Sequence, residues 1–201
     1  MSFYPCVIQA LPQRPGHARY LSQHLSTPIV VWESATDPNL WATYRRTLLA
    51  TDGAAHLHFE DDTTLTTDFE SKASRVIGNG EVVVQFYSHF GDDPERGPRK
   101  MSPGSWGFNN CFFLPEGYGP ALAAFTRRSP KYHLGRMDTI LSDWLRAEGL
   151  SYWLHVPSLV QTDDVKSLRI GRRQVGRYSR TFTSPELRGH PCPEAVIVCS
   201  R

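Results

Sequence analysis

The sequence is poor in cysteine and has no long apolar run. Its 201 residues include four cysteines, which are scattered and lack the close pairs of a zinc site, so we expect reduced, buried thiols. No stretch approaches the ~20 consecutive apolar residues of a membrane-spanning helix. The first residues also lack the basic start and apolar segment of a signal peptide. These absences predict a cytoplasmic protein with no membrane partner.

Charge, by contrast, is unevenly distributed along the chain. The net charge is +2. Residues 165–201 carry eight Lys and Arg against two Glu, whereas residues 1–164 carry 14 basic against 18 acidic side chains. We therefore divide the chain into a mildly acidic domain, residues 1–164, and a basic C-terminal extension, residues 165–201.

Strand-like and helix-like segments alternate through the acidic domain. Short apolar or β-branched runs predict strands at residues 6–11, 28–32, 54–59, 82–86, 108–114 and 152–155. Apolar residues at helical spacing predict helices at residues 16–25, 38–50, 69–77, 118–126 and 137–147. Repeated strand–helix–strand units favour an α/β fold, in which helices flank a mainly parallel sheet. Residues 89–105, rich in Gly, Pro and charge, predict a long loop that covers a functional site.

Three adjacent carboxylates follow the third predicted strand: Glu60, Asp61 and Asp62. In an open parallel sheet, ligands bind at the carboxyl ends of the strands. Carboxylate oxygens suit Mg²⁺ or Mn²⁺, which commonly bind one or two carboxylates together with substrate phosphates. The triplet therefore predicts a site for a metal–diphosphate, and a solvated loop that caps the next helix is the alternative.

Several segments resemble glycosyltransferases of the GT-A class. Three segments resemble the nucleotide-binding half of these enzymes: CVIQALPQR, PIVVWES and HLHFEDD. The last is similar to the EDD motif of lipopolysaccharide and collagen glycosyltransferase-like proteins. Three later segments resemble the C-terminal part of small phage-type and bacterial glycosyltransferases: SWGFNNCFFLPEGYGPALAAF, MDTILSDWL and HVPSLVQTDDVKS. The resemblance covers roughly residues 5–168. It implies a GT-A-like, Rossmann-like mixed sheet and metal-dependent transfer of a sugar from a nucleotide-sugar, a UDP-sugar, to a hydroxyl acceptor.

The resemblance also implies a set of metal ligands. Asp62 is the expected direct ligand of Mn²⁺ or Mg²⁺, and Asp61 is either a ligand or a donor contact. Glu60 would lie near the donor ribose or bind the metal through water. Relatives often have a histidine after the Val-Gln pair, where this chain has threonine. The third ligand is therefore lost, replaced by Asp163, or supplied by His155.

Donor and acceptor contacts follow from the same resemblance. Glu33 would meet the base or ribose of the donor, with an ordinary surface acid as the alternative. Arg14 would contact the diphosphate, as would Arg45 or its neighbour Arg46. The expected contacts of the sugar are Trp106, Asn109 and Asn110, although a core tryptophan is the alternative for the first.

Asp138 opens the predicted helix 137–147 and is the candidate catalytic base. Inverting glycosyl transfer needs a group that takes the proton of the acceptor hydroxyl, and the resemblance implies an acid at this helix start. An acidic residue also stabilises a helix N-terminus through the helix dipole. Both interpretations remain open from the sequence.

The basic extension predicts a nucleic-acid partner. Arginines interleaved with aromatic residues are typical of phosphate-backbone binding, and some phage-type relatives modify hydroxymethylated bases in DNA, which implies DNA as the acceptor. The alternatives are a solvated tail or arginines that bind the donor diphosphate. The side chains concerned are Lys166, Arg169, Arg172, Arg173, Arg177 and Arg180.

Two other classes of protein also fit the sequence. One is a non-catalytic nucleic-acid-binding protein that keeps a decayed glycosyltransferase body. The other is a metal-dependent phosphohydrolase or nuclease, since such enzymes need clustered acids as well.

Overall fold

The computed structural model describes residues 3–36, 39–88, 97–128, 137–162, 179 and 181–182. The strands are β1 Cys6–Ala10, β2 Pro28–Trp32, β3 His56–Glu60, β4 Thr63–Leu65, β5 Val83–Gln85, β6 Gly97–Met101, β7 Cys111–Leu114, β8 Tyr152–Val156 and β9 Val160–Thr162. The helices are α1 Pro15–His24, α2 Leu40–Leu49, α3 Phe69–Ile77, α4 Tyr118–Arg128 and α5 Met137–Ala147, with a 3₁₀ turn at Pro103–Ser105. In these residues no helix is long and apolar enough to cross a membrane.

The main sheet has seven strands within the described residues, in the order β2-β1-β3-β7-β5-β8-β6. Strand β1 is parallel to β2 and β3, and β5 is parallel to β8. Strand β7 runs antiparallel to both β3 and β5, and β6 runs antiparallel to β8. Five strands therefore run in one direction and two in the other, which confirms the predicted mixed, mainly parallel α/β sheet.

Helices pack on both faces of this sheet because neighbouring residues of each strand point to opposite sides. Leu57 and Phe59 of β3 face α1 and α3, in a core that includes Leu21 and Ala73. His58 points to the other face, where its ring meets Tyr44 of α2. The core on this second face also contains apolar residues of α4 and α5. The strand ends that carry polar residues lie between these two helical layers.

One part of the predicted loop 89–105 is a strand. Residues Gly97–Met101 form β6, an edge strand whose register runs from Gly97 opposite Val156 to Met101 opposite Tyr152. Its sequence, GPRKM, does not have the apolar alternation of a typical strand. Proline is tolerated at a sheet edge, where an N–H group is not needed for pairing. Pairing with β8, which lies far away in sequence, therefore decides the conformation.

A second, two-stranded sheet was not predicted. Strand β4 pairs antiparallel with β9, and Thr63 lies opposite Thr162. Each strand has three residues, which is too short for a periodic pattern to be visible in sequence. This pairing holds the segment after the acid triplet against residues 160–162.

Candidate active site

The acid triplet lies where β1 and β3 end side by side. Glu60 is the last residue of β3 and pairs with Gln9 of β1. The Glu60 N–H donates to the carbonyl of Asn110 at 3.0 Å, and the Asp61 N–H donates to the carbonyl of Gln9 at 3.1 Å. These bonds fix the triplet at the carboxyl end of the sheet, as the sequence predicted.

Asp61 is buried with incompletely compensated charge. Its side chain accepts a hydrogen bond from the Leu11 N–H at 2.8 Å and lies 4.0 Å from the Arg14 guanidinium. Burial nevertheless raises the pKa of Asp61 to about 6, and the neighbouring charge of Asp62 adds to this effect. A cation bound beside the two carboxylates would relieve the repulsion and lower that pKa.

Arg14 connects the triplet to the start of α1. It occupies the N-cap position of α1, and its Nη1 lies 3.5 Å from Oδ2 of Asp62. The side chains of Arg14 and Asp62 are 11% and 23% exposed, so the pair lines a partly open surface. The structure thus brings two of the predicted metal ligands, Asp61 and Asp62, together with the predicted diphosphate contact, Arg14.

Asp138 approaches the same strand ends from α5. It lies in the first turn of that helix, next to Met137, whose sulfur is 3.7 Å from Nε2 of Gln9. The fully buried phenol of Tyr44 has a pKa raised far above its ordinary value by burial, with further contributions from the charges of Glu60 and Asp138. Both carboxylates therefore lie within electrostatic reach of one phenol.

Two buried histidines stand behind Glu60 on the same face of β3. His58 stacks on Phe112 with ring centroids 4.6 Å apart, and burial lowers its pKa to about 3. His56 is also buried, and its pKa is lowered for the same reason. Both rings are therefore uncharged at neutral pH, and they form part of the core beneath the site.

The structure places Trp106 and Asn109 in the interior. The indole N–H of Trp106 donates to Oδ1 of Asn109 at 2.9 Å, and the indole packs edge-on against Tyr152 with ring centroids 4.7 Å apart. Asn110 is also buried, and its carbonyl oxygen accepts a hydrogen bond from the Thr63 hydroxyl. This arrangement matches the alternative of a core tryptophan and leaves the three side chains little surface for a sugar.

Other predicted donor contacts lie at the β2 edge. Glu33 follows β2, where its N–H donates to the Ala10 carbonyl at 2.8 Å. Arg46, the alternative to Arg45, donates to the Trp32 carbonyl at 2.8 Å. Arg45 is half-buried on the same helix.

His155 belongs to a different pocket from the acid triplet. Its Nδ1–H donates to the Pro157 carbonyl at 2.8 Å, and its ring lines a pocket shared with Lys72 and Arg75 of α3. No group of three or more His, Cys, Asp or Glu that could hold a metal occurs in the described part of the chain. Asp163 and the six predicted nucleic-acid contacts, residues 166, 169, 172, 173, 177 and 180, lie outside the described residues.

Asp61 and Asp62 still fit a hard divalent cation. Mg²⁺ is usually held by one or two carboxylates plus substrate phosphates, and a complete protein cage is not required. The donor set here consists of two adjacent carboxylates at a strand end, one of them with a raised pKa. Such a pair suits Mn²⁺ or Mg²⁺ that arrives with a diphosphate.

Sequence reasoning missed Gln9 and Tyr44. Gln9 is the one amide in an otherwise apolar strand and is 5% exposed, so a polar residue at that position was the available signal. Tyr44 looked like an ordinary apolar-face residue of α2. Only its packing against His58 of β3 brings its phenol within electrostatic reach of Glu60 and Asp138.

Comparison with known proteins does not assign a function to the site. No family model matches the chain, and no curated protein is recognisably similar to it in sequence. Among the solved structures similar to it is the crystal structure of a glycosyltransferase involved in the glycosylation of the major capsid of PBCV-1. That similarity has a TM-score of 0.44 at 13% identity and covers 76% of this chain and 82% of the other. It is too distant to assign an activity or a substrate.

Proposed function

We propose that the protein is a metal-dependent glycosyltransferase of the GT-A class. It would transfer a sugar from a nucleotide-sugar, a UDP-sugar, to a hydroxyl acceptor. The observation that carries this proposal is the convergence of the acid triplet, Arg14 and Asp138 at the carboxyl ends of β1 and β3. In this arrangement Asp61 and Asp62 could bind a metal ion, and the guanidinium of Arg14 could bind a diphosphate. The Asp138 carboxylate is available for proton transfer.

Asp61 and Asp62 are the residues that would hold Mn²⁺ or Mg²⁺. The bound ion supplies Lewis-acid neutralisation of the nucleoside diphosphate leaving group. Arg14, 3.5 Å from Asp62, would turn its guanidinium to the diphosphate, for which its planar fork is well suited. Glu60 would orient the donor ribose from the end of β3.

Asp138 would act as the base. The acceptor oxygen forms a bond to the anomeric carbon as the bond from that carbon to the diphosphate oxygen breaks, and the hydroxyl proton passes to the Asp138 carboxylate. General-base catalysis of this kind contributes roughly 10²–10⁴ in rate. The adjacent Tyr44 phenol stays protonated at neutral pH because burial raises its pKa, so it remains a hydrogen-bond donor.

The proposed acceptor is DNA that carries a hydroxymethylated base. Its support is the basic composition of residues 165–201, which would neutralise backbone phosphates. The target base would have to leave the helical stack to reach the carboxyl ends of the strands.

Incubation with a panel of UDP-sugars and Mn²⁺ tests this function. Release of UDP that stops on chelation of the metal is expected, and transfer is then followed with hydroxymethylated and unmodified DNA. Binding of nucleic acid without binding of any nucleotide-sugar would favour the non-catalytic alternative. Metal-dependent cleavage of nucleic acid would favour a nuclease.

A further inference from the structure

A pocket with two cationic side chains opens on the α3 side of the sheet. It has a volume of about 310 Å³ and is lined by Thr66, Lys72, Arg75, Val76, His155, Pro157, Ser158 and Leu159. This volume lies at the lower limit of small-molecule sites, roughly 300 Å³. The pocket therefore suits a small ligand or one unit of a larger one.

The walls of the pocket are held in place by hydrogen bonds. The Thr66 N–H donates to the Leu159 carbonyl at 2.9 Å, which joins the segment between β4 and α3 to the turn after β8. Lys72 and Arg75 lie on one helical face because they are three residues apart. Lys72 donates to the Thr67 carbonyl, and its Nζ lies 3.5 Å from the hydroxyl of Thr66, another lining residue.

The described lining of this pocket is positively charged. Among the lining residues that the structure describes, none is a carboxylate. Neither Lys72 nor Arg75 forms an ion pair with any of the residues that the structure describes. Two cations about one helical turn apart repel one another, and an anionic ligand bound to both would reduce that repulsion.

His155 adds a hydrogen-bond acceptor to the same pocket. Its Nδ1 must carry the proton that the Pro157 carbonyl accepts. Burial lowers the pKa of His155, so the ring is uncharged at neutral pH. Nε2 therefore presents a lone pair, which accepts from a hydroxyl group and repels a second anion.

We propose that this pocket binds a sugar-linked phosphate, with the phosphate on Lys72 and Arg75 and a sugar hydroxyl on Nε2 of His155. The apolar side chains of Val76, Pro157 and Leu159 would pack against the sugar ring. The ligand is either a free sugar phosphate or the backbone of a nucleic acid. Its lining includes none of the residues of the acid triplet, and its occupancy would not depend on glycosyl transfer.

Calorimetry on the full chain tests the proposal with glucose 6-phosphate as the probe. Saturating UDP and Mn²⁺ are present so that the proposed donor site is filled. Glucose 6-phosphate is expected to bind, and glucose alone is expected not to bind. Arg75→Gln, at an exposed position, and Lys72→Met, which keeps the apolar stem, should each weaken binding roughly tenfold or more.

Arg19→Gln is the matched control, because it removes the same charge from the exposed face of α1, away from the pocket. It should leave binding unchanged, and thermal unfolding verifies that every variant folds. A single-stranded oligonucleotide titrated in parallel identifies the source of the phosphate. Binding of either probe that depends on Lys72 and Arg75 supports the site. The proposal is overturned if neither probe binds, or if Arg75→Gln leaves the affinity unchanged.

Discussion

Two regions at the carboxyl edge of one sheet carry opposite charge. The acid triplet at the end of β3 places three carboxylates beside Arg14, whereas the described residues that line the pocket at α3 include Lys72 and Arg75 and no acid. The acids end β3 or follow it directly, whereas both cations lie on α3. The same sheet can therefore position a candidate cation site and a candidate anion site near its carboxyl ends.

The largest expected effect is at the acid triplet. Asp62→Ala should reduce Mn²⁺-dependent binding of UDP below detection, because it removes a carboxylate that holds the cation and not a core contact. Calorimetry with UDP and Mn²⁺ measures this. Glu81→Ala, at an exposed acid just before the amino end of β5, should have no effect. Full affinity in the Asp62 variant would refute the metal assignment.

A smaller effect separates catalysis from binding at the same edge. Asp138→Asn keeps the shape of the side chain and loses its basicity, so the transfer rate should fall roughly 10²–10⁴-fold while UDP-sugar affinity changes little. Asp143→Asn is the control on the same helix, where the carboxylate pairs with Arg146 at 2.8 Å. A rate within a few-fold of wild type would assign Asp138 to stabilising the helix N-terminus.

The next prediction concerns binding of DNA by the basic extension. Ser179 and Thr181 are buried and bond to each other, and Ser158 bonds to both, so deletion of residues 165–201 would also remove packing. Arg172→Gln with Arg173→Gln is therefore a cleaner test than truncation. If both residues contact phosphates, the slope of log K against log salt should become shallower by about 1.8, since each contact contributes about 0.9.

Exposed Arg127 and Arg128 at the end of α4 are the matched pair for that experiment. Their double replacement by Gln should leave the salt slope unchanged. Affinity for DNA that is insensitive to salt, or that ignores the loss of Arg172 and Arg173, would argue against a DNA acceptor bound through the extension.

The smallest effect concerns stability. The pKa of about 6 for folded Asp61 lies above the ordinary 3.8, so folding favours its protonated form. The stability from this group is present below about pH 3.8 and is lost as pH rises through 6. Asp61→Asn should therefore stabilise the protein by about 1–3 kcal/mol at pH 7.5 and have little effect at pH 3.5.

Urea unfolding at the two pH values measures this difference. Glu81→Gln, which replaces an exposed carboxyl outside the site, is the control. Mn²⁺ with UDP should stabilise the wild type more than Asp61→Asn. An equal effect of Asp61→Asn at both pH values would show that burial does not raise the pKa of this carboxyl.

Local sequence predicted much of this protein because its signals are local. Helices α3 and α5 have the predicted bounds, since apolar residues recur at helical spacing over whole turns. The third strand and the acid triplet were readable because an apolar run ends abruptly in three carboxylates. The buried, free thiols of Cys6 and Cys111 also agree with the prediction.

Tertiary structure decided what depends on residues that are distant in sequence. β6 is a strand only because β8 pairs with it, and β4 exists only through β9. Trp106 became a core residue because β7 and β8 enclose it. The basic pocket joins α3 to a turn more than eighty residues later along the chain. No pattern within a short window encodes such contacts, because they form only when the sheet brings its carboxyl ends together.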